Sequence, residues 1–197
     1  MKRSQIINYL IKKSKYKSYL EIGIRNSIFN FDKIKCEYKE GVDPDLLCNA
    51  KYGMNSDDFF SKIPLNRKYD IAFIDGMHKC EQVLKDVKNS LDHLSDGGTI
   101  VLHDCNPMKE RHQVEKRTVL HKKWNGTVWK AFALLRMSRE DLFMCVIEED
   151  EGIGVIKKGS QNLFKKILEK ELTYNFLRKN RKKLLNLFPF KYFKKLV

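Results

Sequence analysis

The chain has little of what breaks or staples a fold. Ten glycines and four prolines in 197 residues are too few for a long flexible linker, and no internal repeat or low-complexity block is present. No window holds roughly eighteen consecutive apolar residues, so no transmembrane helix is expected. The start, MKRSQIINYLIKKSKYKSYL, is basic but has no continuous apolar stretch and no small-residue cleavage site, and it does not read as a secretory signal. The five cysteines (Cys36, Cys48, Cys80, Cys105 and Cys145) are odd in number and form no CxxC pair, so free thiols in a reducing cytoplasm are expected. Acids are scarce at both ends. Residues 1–17 carry +6 and residues 157–197 carry +11 of a net charge of +14, which leaves the centre at −3. A mildly acidic body between two basic ends predicts attraction to phosphate-bearing surfaces, including peripheral contact with an anionic inner membrane face. Lysine outnumbers arginine about three to one along the whole chain, and a solvated tail accounts for the same numbers. The length suits one α/β domain of residues 1–160 with a basic helical extension, 161–197, packed on the domain or on a second subunit.

What is present is concentrated between Tyr69 and Pro107. Asp70–Ile74 is an apolar run ending in Asp75-Gly76. Glu81–Leu94 carries Val83, Leu84, Val87, Leu91 and Leu94 at helical spacing. Asp96-Gly97-Gly98 reads as a turn, and Thr99–Leu102 as a strand ending in His103-Asp104. Strand, helix and strand with a short return form a βαβ unit, which makes the strands parallel and sets both acidic tips at one sheet edge. Ligands bind at that edge in open α/β sheets, so Asp75, His78, His103 and Asp104 are the expected centre of chemistry. Cys105 reads as a small semi-buried neighbour.

Before this unit, residues 4–18 predict a helix and Tyr19–Gly23 a first strand. Glu40–Asp43 predicts a second, closed by Pro44. A third strand is expected ahead of a short helix, Ser56–Ile63, capped by Ser56 or Asp57. The βαβ unit then supplies strands four and five. Residues 124–137 read as an amphipathic helix with Val128, Trp129, Phe132 and Leu135 inward. Residues 141–150 and 152–159 are β-rich runs around an acidic, glycine-bearing turn, an antiparallel hairpin. Residues 161–187 return to helix, with terminal aromatics and surplus lysines facing an anionic surface.

Gly23 at the first strand's end permits a tight turn beside a ligand, and Asp43, about twenty residues on, is placed to accept a ribose diol. Ser56 and Asp57 are candidates for adenine contact. The segments LEIGIRNSIFNFDKIKCEYKEGVDPD, SDDFF, YDIAFIDGMH, LSDGGTIVLHDCNP and WNGTVWKA resemble the class I S-adenosylmethionine methyltransferases that include macrocin-type sugar O-methyltransferases. The resemblance runs from about Tyr19 to Gly159, and FIDGxH with GGxxxxHDxNP is its most specific part. It implies a Rossmann-like, seven-stranded, mostly parallel sheet with a C-terminal antiparallel hairpin strand and helices on both faces. It further implies S-adenosylmethionine as methyl donor and a divalent metal, magnesium or manganese, at the acceptor hydroxyl. By position, Glu21 and Gly23 match the first cofactor motif, Asp43 the ribose acid, and Asp75 a metal-ligating aspartate that also borders the cofactor. His78 matches a general base and Asp104 the second acid of a paired acidic motif.

Two departures stand out. The first loop has one glycine, so Arg25-Asn26-Ser27 must fit beside the methionine moiety. The paired acids are His103-Asp104, so the metal set Asp75, His103 and Asp104 exchanges a carboxylate for imidazole, which either weakens magnesium, shifts preference toward manganese or zinc, or abolishes metal use. The expected reaction is O-methylation of a sugar, glycan or other polyhydroxylated small molecule, with His78 as base. His93 reads as structural. His112, with Glu110, Arg111 and Trp124, reads as part of an acceptor lid near His121. Two other functions compete. A nucleic-acid methyltransferase would suit the basic ends, but no aromatic follows Asp104-Cys105-Asn106-Pro107. A non-catalytic binding module would suit the thin glycine loop, but Gly23, Asp43, Asp75, His78 and Asp104 are all retained.

Overall fold

A computed structural model describes residues 1–118 and 123–196. Seven strands form one sheet in the order β2-β1-β3-β4-β6-β5-β7. They are β1 (Ser18–Ile22), β2 (Tyr38–Val42), β3 (Tyr69–Ile74), β4 (Leu94–Leu102), β5 (Leu142–Ile147), β6 (Ile153–Lys158) and β7 (Leu187–Phe188). The helices are α1 (Arg3–Ser14), α2 (Ser56–Lys62), α3 (Cys80–Asp92), α4 (Val128–Ser138), α5 (Tyr174–Leu184) and α6 (Phe190–Phe193). The mostly parallel sheet closed by an antiparallel hairpin is the architecture expected from the sequence. The chain divides into two compact units, residues 1–77 with 82–101, and residues 78–81 with 102–197.

In the first unit β1 lies between β2 and β3, parallel to both. Its apolar positions Leu20 and Ile22, with Ile71 and Phe73 of β3, are buried, as strands covered on both faces require. Helix α1 turns Ile6, Ile7, Leu10 and Ile11 inward. Two ties fix its direction. At its carboxyl end, the Lys17 and Ser18 amides donate to Asp70 Oδ2 (2.8 and 3.1 Å), and Tyr16 Oη donates to the Gly97 carbonyl (2.7 Å). At its amino end, Arg3 Nε lies 3.7 Å from Asp75 Oδ2. Twelve helical residues span about 18 Å, close to the length of β3, so one helix reaches both ends of that strand.

Four local expectations are corrected. No third strand precedes α2 among the described residues; Tyr52 makes only an isolated bridge to Val42. The βαβ strands are therefore the third and fourth. The α2 cap is Asn55, whose side chain accepts from the Asp58 amide at 2.8 Å, one residue earlier than expected. Asp96-Gly97-Gly98 is not a turn but lies inside β4, which begins at Leu94 and takes up Gly97 in a left-handed conformation.

The fourth correction concerns the extension. Residues 161–187 were expected to be helical, yet α5 covers only Tyr174–Leu184, and the chain beyond it supplies β7, parallel to β5 through Val146↔Leu187. Leu172, Leu177, Leu184, Leu185 and Leu187 are buried, which meets the burial need of these apolar residues. Phe190 and Phe193 are buried too, so these terminal aromatics do not face solvent. Lys191 and Lys195 lie over Tyr192, and Lys194 over the Phe190 ring. Among the described residues no helix is long and apolar enough to cross a membrane.

Candidate functional site

In the first unit three strand tips stand level. Ile22 pairs with Val42 on one side and Ile74 on the other, so the next residues, Gly23, Asp43 and Asp75, share one edge. The ladder continues to the tips: Gly23 N–H donates to the Val42 carbonyl (2.9 Å) and Asp75 N–H to the Ile22 carbonyl (2.8 Å). Gly23 has φ +88°, and a Cβ there would collide with the Asp75 carbonyl and Gly76. Only glycine lets the tips of β1 and β3 pack this closely. Asp43 is buried and ties two loops together, accepting from the Arg25 amide on Oδ2 (2.7 Å) and the Asp45 amide on Oδ1 (2.8 Å). Arg25 itself is left-handed, at φ +54°. Each Asp43 oxygen keeps a second lone pair for a hydroxyl.

Glu21 sits behind this edge rather than on it. It is buried and accepts on Oε2 from the Tyr19 hydroxyl and from Asn30 Nδ2 (2.9 Å). Burial pushes its carboxyl up to about 7, with the Asp75 charge adding to the rise and the two hydrogen bonds opposing it. Ser56 and Asp57 are engaged with α3: Ser56 Oγ donates to Asp86 Oδ1 (2.6 Å), and Asp57 accepts from Gln82 (2.9 Å) and pairs with Lys85 (3.2 Å). His93 is buried and structural, its Nδ1 2.9 Å from the Arg67 carbonyl.

In the second unit the end of β4 brings three predicted residues together. Asp104 Oδ2 lies 3.2 Å from His78 Nδ1 and 3.2 Å from His103 Nδ1, and His103 Nε2 stands 4.0 Å from Asp150. Asp104 is left-handed at φ +63°, a conformation aspartate tolerates better than most residues. Its neighbours hold it there. The Cys105 amide donates to the Gly152 carbonyl (3.0 Å) and the Asn106 amide to the Glu151 carbonyl (2.9 Å), both in the β5–β6 turn. Burial pushes the Cys105 thiol far above its ordinary range, so it is a packing residue and no nucleophile.

Asn125 and Arg181 escaped sequence reasoning, and Trp124, expected in an acceptor lid, was not expected against His78. Asn125, fully buried, donates from Nδ2 to Asp104 Oδ1 (2.6 Å). Trp124 stacks on the His78 ring, with centroids 4.7 Å apart and planes 5° from parallel. Arg181 of α5 donates to Asn106 Oδ1 and to the Pro107 carbonyl (2.9 Å), while Tyr174 donates to the Met108 carbonyl (2.6 Å). The signal for Asn125 was the WNGTVWKA segment, and Arg181 had none. Arg181→Ala should cost about 1–3 kcal/mol by leaving Asn106 and Pro107 acceptors unpaired; urea unfolding of the variant measures it, and an unchanged midpoint would remove this lock. His112 is buried, with its carbonyl accepting from the Asn125 and Gly126 amides (2.7 and 3.2 Å). His121 lies outside the described residues.

Residues 48–105 match a family profile described as a methyltransferase domain. Solved structures with the same architecture include the O-methyltransferase TomG from Streptomyces achromogenes, in complex with SAM (13% identity, TM-score 0.56, 80% of each chain covered). Another is the SAH-bound methyltransferase PaMTH1 from Podospora anserina (15% identity, TM-score 0.56, 80% of this chain and 78% of that chain). A third is the O-methyltransferase from Bacillus cereus, in complex with SAH (12%, TM-score 0.52, 78% of both). The fold is a methyltransferase fold. No curated protein matches the sequence.

Proposed function

We propose that the protein is an S-adenosylmethionine-dependent O-methyltransferase acting on a sugar, glycan or other polyhydroxylated small molecule. The observation that carries this reading is the His78–Asp104 contact at the end of β4, taken with the glycine turn at Gly23. The turn at Gly23 has no room for a side chain against the Asp75–Gly76 backbone, and Asp43 stands one strand away with acceptor capacity for a ribose diol. Both features fit the donor. When bound, S-adenosylmethionine supplies an electrophilic methyl on a sulfonium, which leaves as a neutral thioether.

The rest falls to the chain. A sugar hydroxyl does not ionise near neutrality, so a base must take its proton as the new O–CH3 bond forms. His78 is suited to that role. Asp104 beside Nδ1 favours the proton there and leaves Nε2 as the basic nitrogen, and Trp124 fixes the plane of the ring. Asn125 and the β5–β6 turn orient Asp104 in turn. Asp75, three residues before His78 in the chain, joins the reading on its position after β3.

His78 and Asp104 also offer donor atoms near enough to share a metal ion. With imidazole in the set, at His78 and His103, manganese or zinc suits these residues better than magnesium, and would lower the pKa of a bound hydroxyl. Activity that survives exhaustive chelation would remove the metal and leave the base.

His78→Ala should lower turnover about 100-fold or more while S-adenosylhomocysteine affinity stays within about twofold. Acceptors would be screened as glycans and small polyols with methyl-labelled donor. Full turnover in the variant would sink the role of His78, and no binding of S-adenosylhomocysteine by the wild type would sink the methyltransferase reading itself.

A further inference from the structure

Buried polar atoms in a folded chain are nearly always paired, so those that are not mark places where a ligand or water supplies the partner. Among the described residues, three such atoms belong to neighbouring segments of the second unit: His112 Nδ1, Asn125 Oδ1 and Glu151 Oε2. Backbone contacts bring these segments together. The His112 carbonyl accepts from the Asn125 amide (2.7 Å), and Asn125 Nδ2 holds Asp104 Oδ1 (2.6 Å). The Glu151 carbonyl accepts from the Asn106 amide (2.9 Å), and Glu151 Oε1 pairs with Lys123, two residues before Asn125. Asp104 carries His78 on its other oxygen, so the group adjoins the proposed base.

The group is also held ready. Trp129 Nε1 donates to Gln113 Oε1 (2.9 Å) and Trp124 Nε1 to the Val114 carbonyl (2.6 Å), which pins the chain directly after His112. Trp124 is the ring that stacks on His78. A site fixed by its own packing loses little freedom when a ligand arrives.

The chemistry of the three atoms decides what fits. A carboxylate oxygen and an amide oxygen only accept. Burial holds the His112 imidazole below its ordinary pKa; the Glu151 charge opposes this, and Arg111, Lys123 and Lys109 reinforce it. The ring is therefore neutral near pH 7, and its Nδ1 either donates or accepts. The ligand must bring hydrogen-bond donors. An ammonium would do so, but the three neighbouring cations repel it and Lys123 already neutralises Glu151. Neutral hydroxyls remain.

We propose that His112, Asn125 and Glu151 bind hydroxyls of the acceptor other than the one methylated, so that the site selects a neutral polyol. This rests on the O-methyltransferase reading above and names the groups that recognise its acceptor.

The test is kinetic, with myo-inositol and the methyl α-glycosides of glucose, galactose, mannose and rhamnose as acceptors and methyl-labelled S-adenosylmethionine as donor. On the acceptor used fastest, His112→Phe and Glu151→Gln should each raise the acceptor KM about tenfold or more and leave the donor KM within about twofold. One monodeoxy analogue of that acceptor should lose about 100-fold in kcat/KM on wild type and far less on His112→Phe, which leaves no ring nitrogen unpaired. Unchanged acceptor KM in both variants, or equal sensitivity to every deoxygenation in wild type and variant, would overturn the proposal. Thermal unfolding without ligand separates binding from support of the fold. His112→Phe or His112→Leu, each lacking the unpaired nitrogen, should melt no lower than wild type. A clear drop in both would mean that a bound water pairs the ring as part of the fold, and would overturn the subsite. A wild type that binds S-adenosylhomocysteine yet methylates none of the five acceptors would overturn the hydroxyl assignment. One that does not bind S-adenosylhomocysteine would instead strike the methyl-donor reading, so the two failures are distinguishable.

Discussion

Gly23→Ala should unfold more readily than wild type by several kcal/mol and should lose S-adenosylhomocysteine binding. Two costs add. The backbone at φ +88° is one that an L side chain adopts only at about 1–2 kcal/mol. The new Cβ would also collide with the Asp75 carbonyl and the Gly76 Cα, which are backbone atoms and cannot rotate away. Overpacking of this kind costs about 1–3 kcal/mol, because relief requires moving β1 against β3. The ladder bonds at the two tips, Gly23 to Val42 and Asp75 to Ile22, resist that movement. Urea unfolding and ligand titration of the same sample measure both effects. A variant with wild-type stability and affinity would show that the Gly23 turn is neither tight nor used.

Glu21→Gln should stabilise the protein at pH 8 by about 3 kcal/mol and much less at pH 5. The Glu21 carboxyl is raised from 4.5 to about 7 in the folded chain, chiefly by burial. Between those values the folded state holds a proton that the unfolded state has released, so stability falls as pH rises through this window. Above pH 7 the buried charge is carried in full, and a difference of about 2.5 pH units corresponds to roughly 3 kcal/mol. Glutamine keeps an acceptor for Tyr19 and Asn30 but has no proton to lose, which removes the pH dependence at this site. Urea midpoints at the two pH values decide the matter. An equal difference at both would mean that Glu21 is charged in the fold even at pH 5.

Glu21 also shows where local reading stops. Its place near the end of the first strand, two residues before Gly23, was legible, because a strand ending in glycine is a local pattern. That its carboxylate faces inward, onto Tyr19 two residues before it and Asn30 nine residues after it, was not. A strand's alternation gives a side, not what fills that side. The same limit hid Asn125 and Arg181. Each reaches the loop after β4 from a distant segment, 21 and 75 residues away, and a lone polar residue on an amphipathic stretch carries no mark of its partner. The seventh strand was misplaced for a related reason. Two residues of Leu187–Phe188 pairing have no periodicity to read, and the lysine-rich helix before them masked the return to the sheet.

By itself, the sequence determined what repeats at short range: the parallel strands with acidic tips, the closing hairpin, the glycine at the first turn, and the placement of His78, His103 and Asp104 on segments bound to end together. These follow from apolar periodicity and from turn residues whose backbone preferences are local. Tertiary structure alone decided which donors crowd onto Asp104, that Glu21 is shut away from solvent, that Arg3 comes to rest against Asp75, and that the basic extension completes the sheet. Those outcomes depend on the register of strands and the reach of helices across the fold. Such contacts form only when distant segments bury apolar surface together, and the polar partners are selected by that burial.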